Sequence, residues 1–211
     1  MSLTMDLGRR IELVSMDPHF HDISIALYRQ ETESGPQYVV HSYSQKEGTR
    51  ERLAFVIRAM HVLGGLEENN GRLYFSCGSP HQLAARRIFL ESCKLKPSAT
   101  LESRPLSILD KKSNIELEAS SVGLGAYKVS ARDGGPEGLS RVSVLANGLA
   151  KLADLARSDG LADVVTFPCG QSHDAVIGLL LSRALNVRAA LREEEMASSR
   201  GVLAAPSAQQ K

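Results

Sequence analysis

The alternation of apolar and polar residues predicts short strands in two successive stretches of the chain, and each stretch also contains helical patterns. Across residues 23–29, Ile23, Ile25 and Leu27 alternate with polar or small residues, which is typical of a strand with one buried face. From residue 49 the apolar positions recur every three or four residues and end at a Gly-Gly pair, which predicts an amphipathic helix. Similar patterns return later in the chain, which is therefore predicted to be α+β.

These patterns predict the order βββαβα twice. The predicted strands are 11–15, 23–29, 37–43 and 72–76 in the first unit, and 105–110, 114–119, 125–131 and 163–167 in the second. The predicted helices begin at Thr49, Ser79, Ser140 and Ser172, the second ending near Lys94 and the last near Glu194. We expect two tandem pseudo-symmetric units, residues 11–95 and 106–194, each a sheet layer covered by a helix layer. Residues 196–211 lack periodicity and are predicted to form a flexible tail.

One motif occurs in both units. Residues 73–83 read LYFSCGSPHQL and residues 165–175 read VTFPCGQSHDA, so that four residue types recur 92 positions apart. Each copy is a short apolar run, a Gly-containing loop and the start of a helical pattern, which predicts a strand–loop–helix junction. Such junctions often bind ligands, because free backbone N–H groups and the positive end of the helix dipole point out of them.

The junctions supply the candidate site residues. His81 and His173 are candidate acid/base or metal-binding groups, and Cys77 and Cys169 are thiols beside helix N-termini, where ionisation is favoured. The alternative interpretations are polar first-turn histidines and small buried residues at strand ends. The candidate ligand-binding residues are Gly78, Ser79, Gly170, Ser172 and Asp174.

Composition excludes several classes of function. The 211 residues are 43% hydrophobic and carry 25 basic against 24 acidic side chains, so no global charge favours nucleic acid or an anionic membrane. The longest apolar runs fall short of the roughly 20 residues that span a bilayer. The three cysteines include no CxxC pair, so neither a disulfide framework nor a zinc knuckle is expected. The sequence predicts a cytoplasmic protein with reduced thiols.

The first unit also predicts self-association. Ile23, Ile25 and Leu27 occupy one face of a strand, while Ala26, Tyr28, Tyr38 and Val40 remain for the other face or for a neighbouring edge. An apolar second face would need a cover, so we expect a homo-oligomer with any site shared between halves or subunits.

Tandem βββαβα units of this size resemble the duplicated fold of imidazoleglycerol-phosphate dehydratase, a relative of the two-layer domain of ribonuclease PH and the GHMP kinases. The segments HDISIALYRQ and RLAFVIRAMHVLGGL resemble that family's opening strands and helix, and TFPCGQSHDAVIGLLLSRALNVRAAL resembles its closing strand, loop and helix. The resemblance covers roughly residues 20–95 and 120–192. It implies a two-layer architecture, large symmetric assemblies and sites at subunit contacts.

The resemblance also implies a metal motif that this chain does not retain. In the family each junction carries a His-His-x-x-Glu run that binds catalytic manganese, whereas residues 80–84 and 172–176 here read PHQLA and SHDAV. A single imidazole for each junction provides too few ligands, so the sequence predicts no stoichiometric manganese or zinc and no other cofactor.

Two functions remain open at this stage. The first is a small-molecule-binding or assembly protein without the family's metal chemistry. The second is a small-molecule lyase or isomerase that uses His81 and His173 with Cys77 and Cys169, and only this enzyme would take manganese or zinc. The repeated CG step is also similar to the paired-cysteine isomerases of the diaminopimelate epimerase and proline racemase type. The residues leave open whether the chain is an enzyme.

Two further segments have weaker patterns. His19 and His21 would share one face of a strand as metal ligands, although the adjoining Asp17-Pro18 favours a polar turn. The segment RDGGPEG at residues 132–138 could cradle a phosphate, but it matches no nucleotide fingerprint, and a glycine-rich turn is favoured.

Overall fold

The structure is a computed structural model that describes residues 10–16, 23–157 and 160–203. Over these residues the protein is α+β, with five helices and two antiparallel five-stranded sheets. The first sheet contains β1 (Arg10–Met16), β2 (Ile25–Thr32), β3 (Gly35–His41), β4 (Glu67–Asn69) and β5 (Arg72–Tyr74). The second sheet contains β6 (Ser107–Asp110), β7 (Ile115–Gly123), β8 (Ala126–Ala131), β9 (Ala156–Arg157) and β10 (Val164–Thr166). The helices are α1 (Thr49–Gly64), α2 (Gln82–Lys94), α3 (Pro136–Ala153), α4 (Asp174–Ala184) and α5 (Val187–Leu203).

The two sheets have corresponding strand orders, β1-β2-β3-β5-β4 and β6-β7-β8-β10-β9. Each contains an edge strand that was not predicted, so the order is βββαββα in the first half and βββαββαα in the second, rather than βββαβα. β4 and β9 are three and two residues long, too short for the period-two pattern to be recognised. The sequence does contain a signal for β4, because the dipeptide Asn70-Gly71 is typical of a two-residue hairpin turn. In the structure both residues have positive φ and form the turn of the β4–β5 hairpin.

α1 begins at Thr49 as predicted, whereas α2, α3 and α4 begin at residues other than Ser79, Ser140 and Ser172. Gly48 is the N-cap of α1, and the Thr49 hydroxyl donates to the Lys46 carbonyl at 2.7 Å instead of capping the helix. α2 begins three residues after Ser79, with His81 at its N-cap, and α3 begins at Pro136, well before Ser140. A Pro at the first helical position has a suitable φ and lacks an N–H that the helix would leave unbonded.

The long last helix that the sequence predicts is two helices. α4 ends at Ala184, and α5 begins at Val187 and continues to Leu203, into the segment predicted as a tail. α3 and α4 pack closely, since a Cβ on Gly148 would lie 2.1 Å from the Ala184 carbonyl oxygen. A glycine is therefore required where these helices cross.

The two halves share one hydrophobic core, which includes residues of both sheets and of the helices. Polar contacts also join them: the Arg87 guanidinium donates to the Leu152 carbonyl at 2.8 Å, and Arg183 forms an ion pair of 3.0 Å with Glu91. Packing between the helices of the two halves therefore determines where the two motif-bearing junctions lie relative to each other.

The apolar residues that suggested self-association are largely covered within the chain. Val40 pairs with Leu27 across β2 and β3, and both are buried in the core, as is Tyr38. These residues lie on the helix-covered side of the sheet, so the expected second apolar face is smaller than predicted, and assembly stays a prediction. Within the described part of the chain, no helix combines the length and the apolar character needed to cross a bilayer.

Candidate functional site

Both motif copies form the same tight turn. The Gly78 amide donates to the Phe75 carbonyl at 2.9 Å, and the Gly170 amide donates to the Phe167 carbonyl at 3.0 Å. The two glycines have φ of +73° and +74°, in the left-handed region that other residues rarely adopt. The glycine in the motif is thus explained by the turn, which contains the preceding cysteine.

The two junctions meet at one place. The Sγ atoms of Cys77 and Cys169 and a ring nitrogen each of His81 and His173 all lie within 4.8 Å of one another. We call these four residues the junction cluster. Within each half, Cys77 Sγ lies 3.2 Å from His81 Nε2 and Cys169 Sγ lies 3.3 Å from His173 Nε2. The structure therefore unites the four residues that the sequence assigned to two separate junctions.

Aromatic rings pack against the cluster from both halves. Phe75 contacts His81 and His173 edge to face, with ring centroids 5.0 and 5.5 Å apart, and Phe167 does the same at 5.4 and 4.6 Å. The two imidazoles contact each other at a centroid distance of 4.7 Å. Because each phenylalanine contacts both histidines, the rings restrict the positions of the imidazoles and limit the access of water to them.

Each thiol also accepts a backbone N–H. The Ser79 amide lies 3.4 Å from Cys77 Sγ, and the Gln171 amide lies 3.4 Å from Cys169 Sγ. Hydrogen bonds to a sulfur favour its thiolate form over the thiol. The two turns therefore place an equivalent donor at each sulfur.

Burial controls the protonation of the imidazoles. It lowers the pKa of His173 to about 4, and the nearby His81 acts in the same direction. Burial also lowers the pKa of His81. Burial raises the pKa of Cys169, with the neighbouring Cys77 contributing in the same direction. At pH 7 the two imidazoles are therefore neutral and each has a nitrogen lone pair.

Two tyrosines that the sequence analysis did not assign to the site fix the junction backbones. The Tyr127 hydroxyl accepts from the His173 amide at 2.7 Å and donates to Asp174 Oδ1 at 2.5 Å. In the first half the Tyr38 hydroxyl donates to the Pro80 carbonyl. The tyrosines occupy corresponding places, because Tyr38 pairs with Leu73 and Tyr127 with Val165 across their sheets. They are 89 residues apart, so a search at the 92-residue spacing of the motif misses them.

A cleft of about 510 Å³ adjoins the cluster, and we call it the junction cleft. Residues of both halves line it: Arg29, Ser79, Pro80, His81, Gln82, Leu83, Ala153, Asp154, Pro168 and Cys169. Arg29 was not predicted as a site residue. It lies on β2, where its guanidinium donates to Gln82 Oε1 at 3.0 Å and pairs with Glu31. The alternation in β2 predicts on which face Arg29 lies, but no local signal connects it with residues 50 positions later.

The other predicted ligand-binding residues mostly have partners within the protein. The Ser172 hydroxyl lies 3.1 Å from the Ser121 hydroxyl, and Asp174 accepts from Tyr127. Ser79 contributes its amide to Cys77 and also lines the cleft.

The two weaker sequence candidates have different outcomes. His19 and His21 lie outside the described residues. Residues 132–135 form the turn into α3, and residues 136–138 begin the helix, where Gly138 is required because a Cβ would lie 2.2 Å from the Asp133 carbonyl oxygen.

The four donors of the cluster do not suit manganese. Two of the four donors are thiols, which manganese takes less readily than oxygen ligands and imidazole. The nearby carboxylate of Asp174 is bonded to Tyr127. Comparison of the chain with protein-family models, curated proteins and solved structures finds no match, so the site is interpreted from its own geometry.

Proposed function

We propose that this protein binds a small molecule at one site shared by two pseudo-symmetric halves, made of the junction cluster and the junction cleft. The corresponding strand orders and the repeated turn geometry support an origin by duplication of a βββαββα unit. In its tandem two-layer architecture the chain resembles imidazoleglycerol-phosphate dehydratase, without that family's metal motif.

The observation that carries the proposal is the convergence of both junctions at the wall of one cleft. His81 comes from the first half and Cys169 from the second, and both line the same cleft. A volume of about 510 Å³ lies in the range of small-molecule sites, roughly 300–1,000 Å³. Sites between two structural units are frequent, because each unit supplies one wall.

The lining indicates a small polar ligand with an anionic group. Arg29 provides a guanidinium, and its Nε is buried without a hydrogen-bond partner among the described residues. Guanidinium groups bind carboxylates and phosphates through paired N–H donors. The Glu31 carboxylate pairs with Arg29 and offsets part of this charge, so a bound anion has to compete with Glu31 for the guanidinium.

Calorimetric titration with inorganic phosphate and with a short dicarboxylate tests the proposal. We expect at least one probe to bind the wild-type protein and to bind Arg29→Gln roughly tenfold or more weakly, because a charged hydrogen bond is lost. Arg132→Gln is the matched control, since this exposed arginine pairs with Glu116 on the second sheet. The proposal fails if no probe binds, or if Arg29→Gln binds as well as the wild type.

A lyase or isomerase acting at the same cluster is the second candidate, favoured by the neutral imidazole of His81 at the cleft wall. The geometry restricts its mechanism. An isomerase with two bases needs one on each side of a carbon, with each base about 3–3.5 Å from the reacting atom. The donor atoms of the cluster are at most 4.8 Å apart, which is too close for a carbon between opposed bases. The enzyme alternative is therefore reduced to a lyase or isomerase in which a single imidazole transfers the proton.

Proton exchange tests this candidate. Short hydroxy acids in deuterated water would lose a C–H resonance in the presence of the wild-type protein, and this loss would stop in His81→Gln. Unchanged spectra across these probes would count against the enzyme.

A further inference from the structure

We propose that the junction cluster is a closed tetrahedral site for one zinc ion that links the two halves of the chain. This inference goes beyond the proposed function: zinc would occupy the four residues of the cluster, whereas the anion would bind at Arg29 in the adjoining cleft. With both imidazoles bound to zinc, neither would be free to act as the base of the second candidate. It reverses the sequence prediction that the chain holds no zinc. That prediction counted one imidazole for each junction, whereas the structure brings two imidazoles and two thiols together.

The distances suit zinc. Bond lengths of about 2.3 Å to sulfur and about 2.0–2.1 Å to nitrogen place the donors of a tetrahedral site roughly 3.3–3.8 Å apart. The two thiol–imidazole distances, 3.2 and 3.3 Å, are already close to this range. The widest separation in the cluster is within 4.8 Å, so the donors need to approach by only about 1 Å to complete the tetrahedron.

The chemistry of the donors selects the ion. Two thiolates and two imidazoles form a ligand set of structural zinc sites, and soft sulfur ligands exclude magnesium and calcium. Zinc with two thiolates and two neutral imidazoles has no net charge. A neutral complex suits a cluster of one buried and three partly buried residues, because an uncompensated charge there would lose its hydration.

The surroundings support the ligands as the outer shell of a metal site does. Each sulfur accepts an amide N–H from the residue two positions later, at 3.4 Å in both halves. Such hydrogen bonds stabilise thiolates and orient them toward a metal. Phe75 and Phe167 hold the imidazoles from both sides, and the Tyr127 hydroxyl fixes the backbone at His173.

The site is closed, which defines its role. All four tetrahedral positions are filled by side chains, so none is left for the water or substrate of a catalytic zinc. Each half supplies one cysteine and one histidine, and the corresponding ligands of the two halves are 92 residues apart in the sequence. An ion bound there joins the halves and stabilises the folded state by mass action.

Elemental analysis of protein purified under reducing conditions, without a metal-affinity column, tests the inference. We expect about one zinc per chain, and zinc affinity roughly 100-fold or more weaker in Cys77→Ser and Cys169→Ser, since even outer-shell changes cost 10- to 100-fold. Cys93→Ala is the matched control, because this third thiol is buried in α2 outside the cluster. Zinc loss equal in all three variants would contradict the assignment.

The wild type alone also decides the question if the serine variants do not fold. Chelation should lower its melting temperature, and one equivalent of zinc should restore it, whereas magnesium should not. The inference is overturned if the reduced wild type holds less than about a tenth of an equivalent and its melting temperature does not respond to zinc. It is also overturned if Cys77 and Cys169 form a disulfide under reducing conditions, detected as a mass decrease.

The zinc inference and the proposed function can fail separately. Binding of phosphate or dicarboxylate that depends on Arg29, in a protein that takes up no zinc, would leave the proposed function standing and remove the zinc. If the protein binds stoichiometric zinc but neither probe, the zinc inference stands and the proposed function is removed. The protein would then be a zinc-stabilised fold without the proposed anion site.

Discussion

The two junctions place their side chains alike and their backbones differently. The thiol–imidazole distances differ by 0.1 Å, at 3.2 and 3.3 Å, and the turn glycines have nearly equal φ. His81, however, has φ of 37° and ψ of 49°, in the left-handed region, whereas His173 has φ of −131° and ψ of 64°. The halves therefore share the turn and the position of two donor groups, and their backbones differ at the histidines where the helices begin.

The anchoring contacts differ as well. At the second junction one hydroxyl, that of Tyr127, bonds both the His173 amide and the Asp174 carboxylate. At the first, Tyr38 bonds the Pro80 carbonyl, and Gln82, which corresponds to Asp174, bonds Arg29 of the cleft. Each junction is thus held by its own tyrosine, and the first is also connected to the proposed ligand-binding residue.

The largest loss of stability is expected from changes to the two phenylalanines, which contact the histidines in the same way at both junctions. Phe75→Ala and Phe167→Ala should each lower the free energy of unfolding by about 3–5 kcal/mol, because each removes a buried ring that contacts both histidines. Urea unfolding measures this, with the exposed Val122→Ala as a control expected within about 0.5 kcal/mol of the wild type. A loss below about 1 kcal/mol in either phenylalanine variant would show that the rings do not form a shared wall.

Substitutions in the hairpins beside the junctions should lower the stability of the protein by different amounts in the two halves. A Cβ on Gly125 would lie 2.9 Å from backbone atoms of Gly170 and Gln171, whereas one on Gly35 would lie 3.5 Å from the Gly78 carbonyl. Both glycines have positive φ, so either change to alanine costs about 1–2 kcal/mol. Gly125→Ala should cost about 1–3 kcal/mol more, because overpacking would displace the second junction. Equal losses in thermal unfolding would be evidence against this difference.

Removal of the anchoring hydroxyl should also destabilise the protein more at the second junction than at the first. Tyr127→Phe leaves both the His173 amide and Asp174 without their partner and should cost about 1–3 kcal/mol. Tyr38→Phe removes one bond to a carbonyl and should cost about 1 kcal/mol. Tyr43→Phe, at an exposed tyrosine, is the control in chemical denaturation. If Tyr38→Phe proved the more damaging change, our view of the anchors would be wrong.

The smallest difference in unfolding free energy is expected from asparagine substitutions at the two histidines, whose backbone conformations differ. His81→Asn and His173→Asn both remove a ring from the cluster, but asparagine tolerates the left-handed conformation found at residue 81. The two losses in unfolding free energy should therefore differ by about 1 kcal/mol, with His173→Asn the worse. Calorimetry of both variants in metal-free buffer provides the comparison, and a larger loss for His81→Asn would oppose it.

Much of the fold could be predicted from local patterns, and the site only in part. Alternation in residues 23–29 and the helical spacing after residue 49 correspond to β2 and α1. β9 could not be predicted, because two residues have no period, although Asn70-Gly71 could have revealed the hairpin that contains β4. The repeat identified the four cluster residues, but their meeting depends on how the helices of the two halves pack. The metal prediction counted the ligands of each junction separately, whereas the structure brings the ligands of both junctions together.

Titration of the metal-free, reduced protein with cobalt(II), a spectroscopic substitute for zinc, tests most directly whether both junctions form one site. Tetrahedral cobalt bound to thiolate gives visible d–d bands and a near-ultraviolet charge-transfer band whose intensity reports the number of thiolate ligands. Our account predicts an end point at about one cobalt per chain with an intensity typical of two thiolates, reduced to about half in either Cys77→Ser or Cys169→Ser. An end point at two ions per chain, or a band from a single thiolate that only one of these variants abolishes, would contradict it.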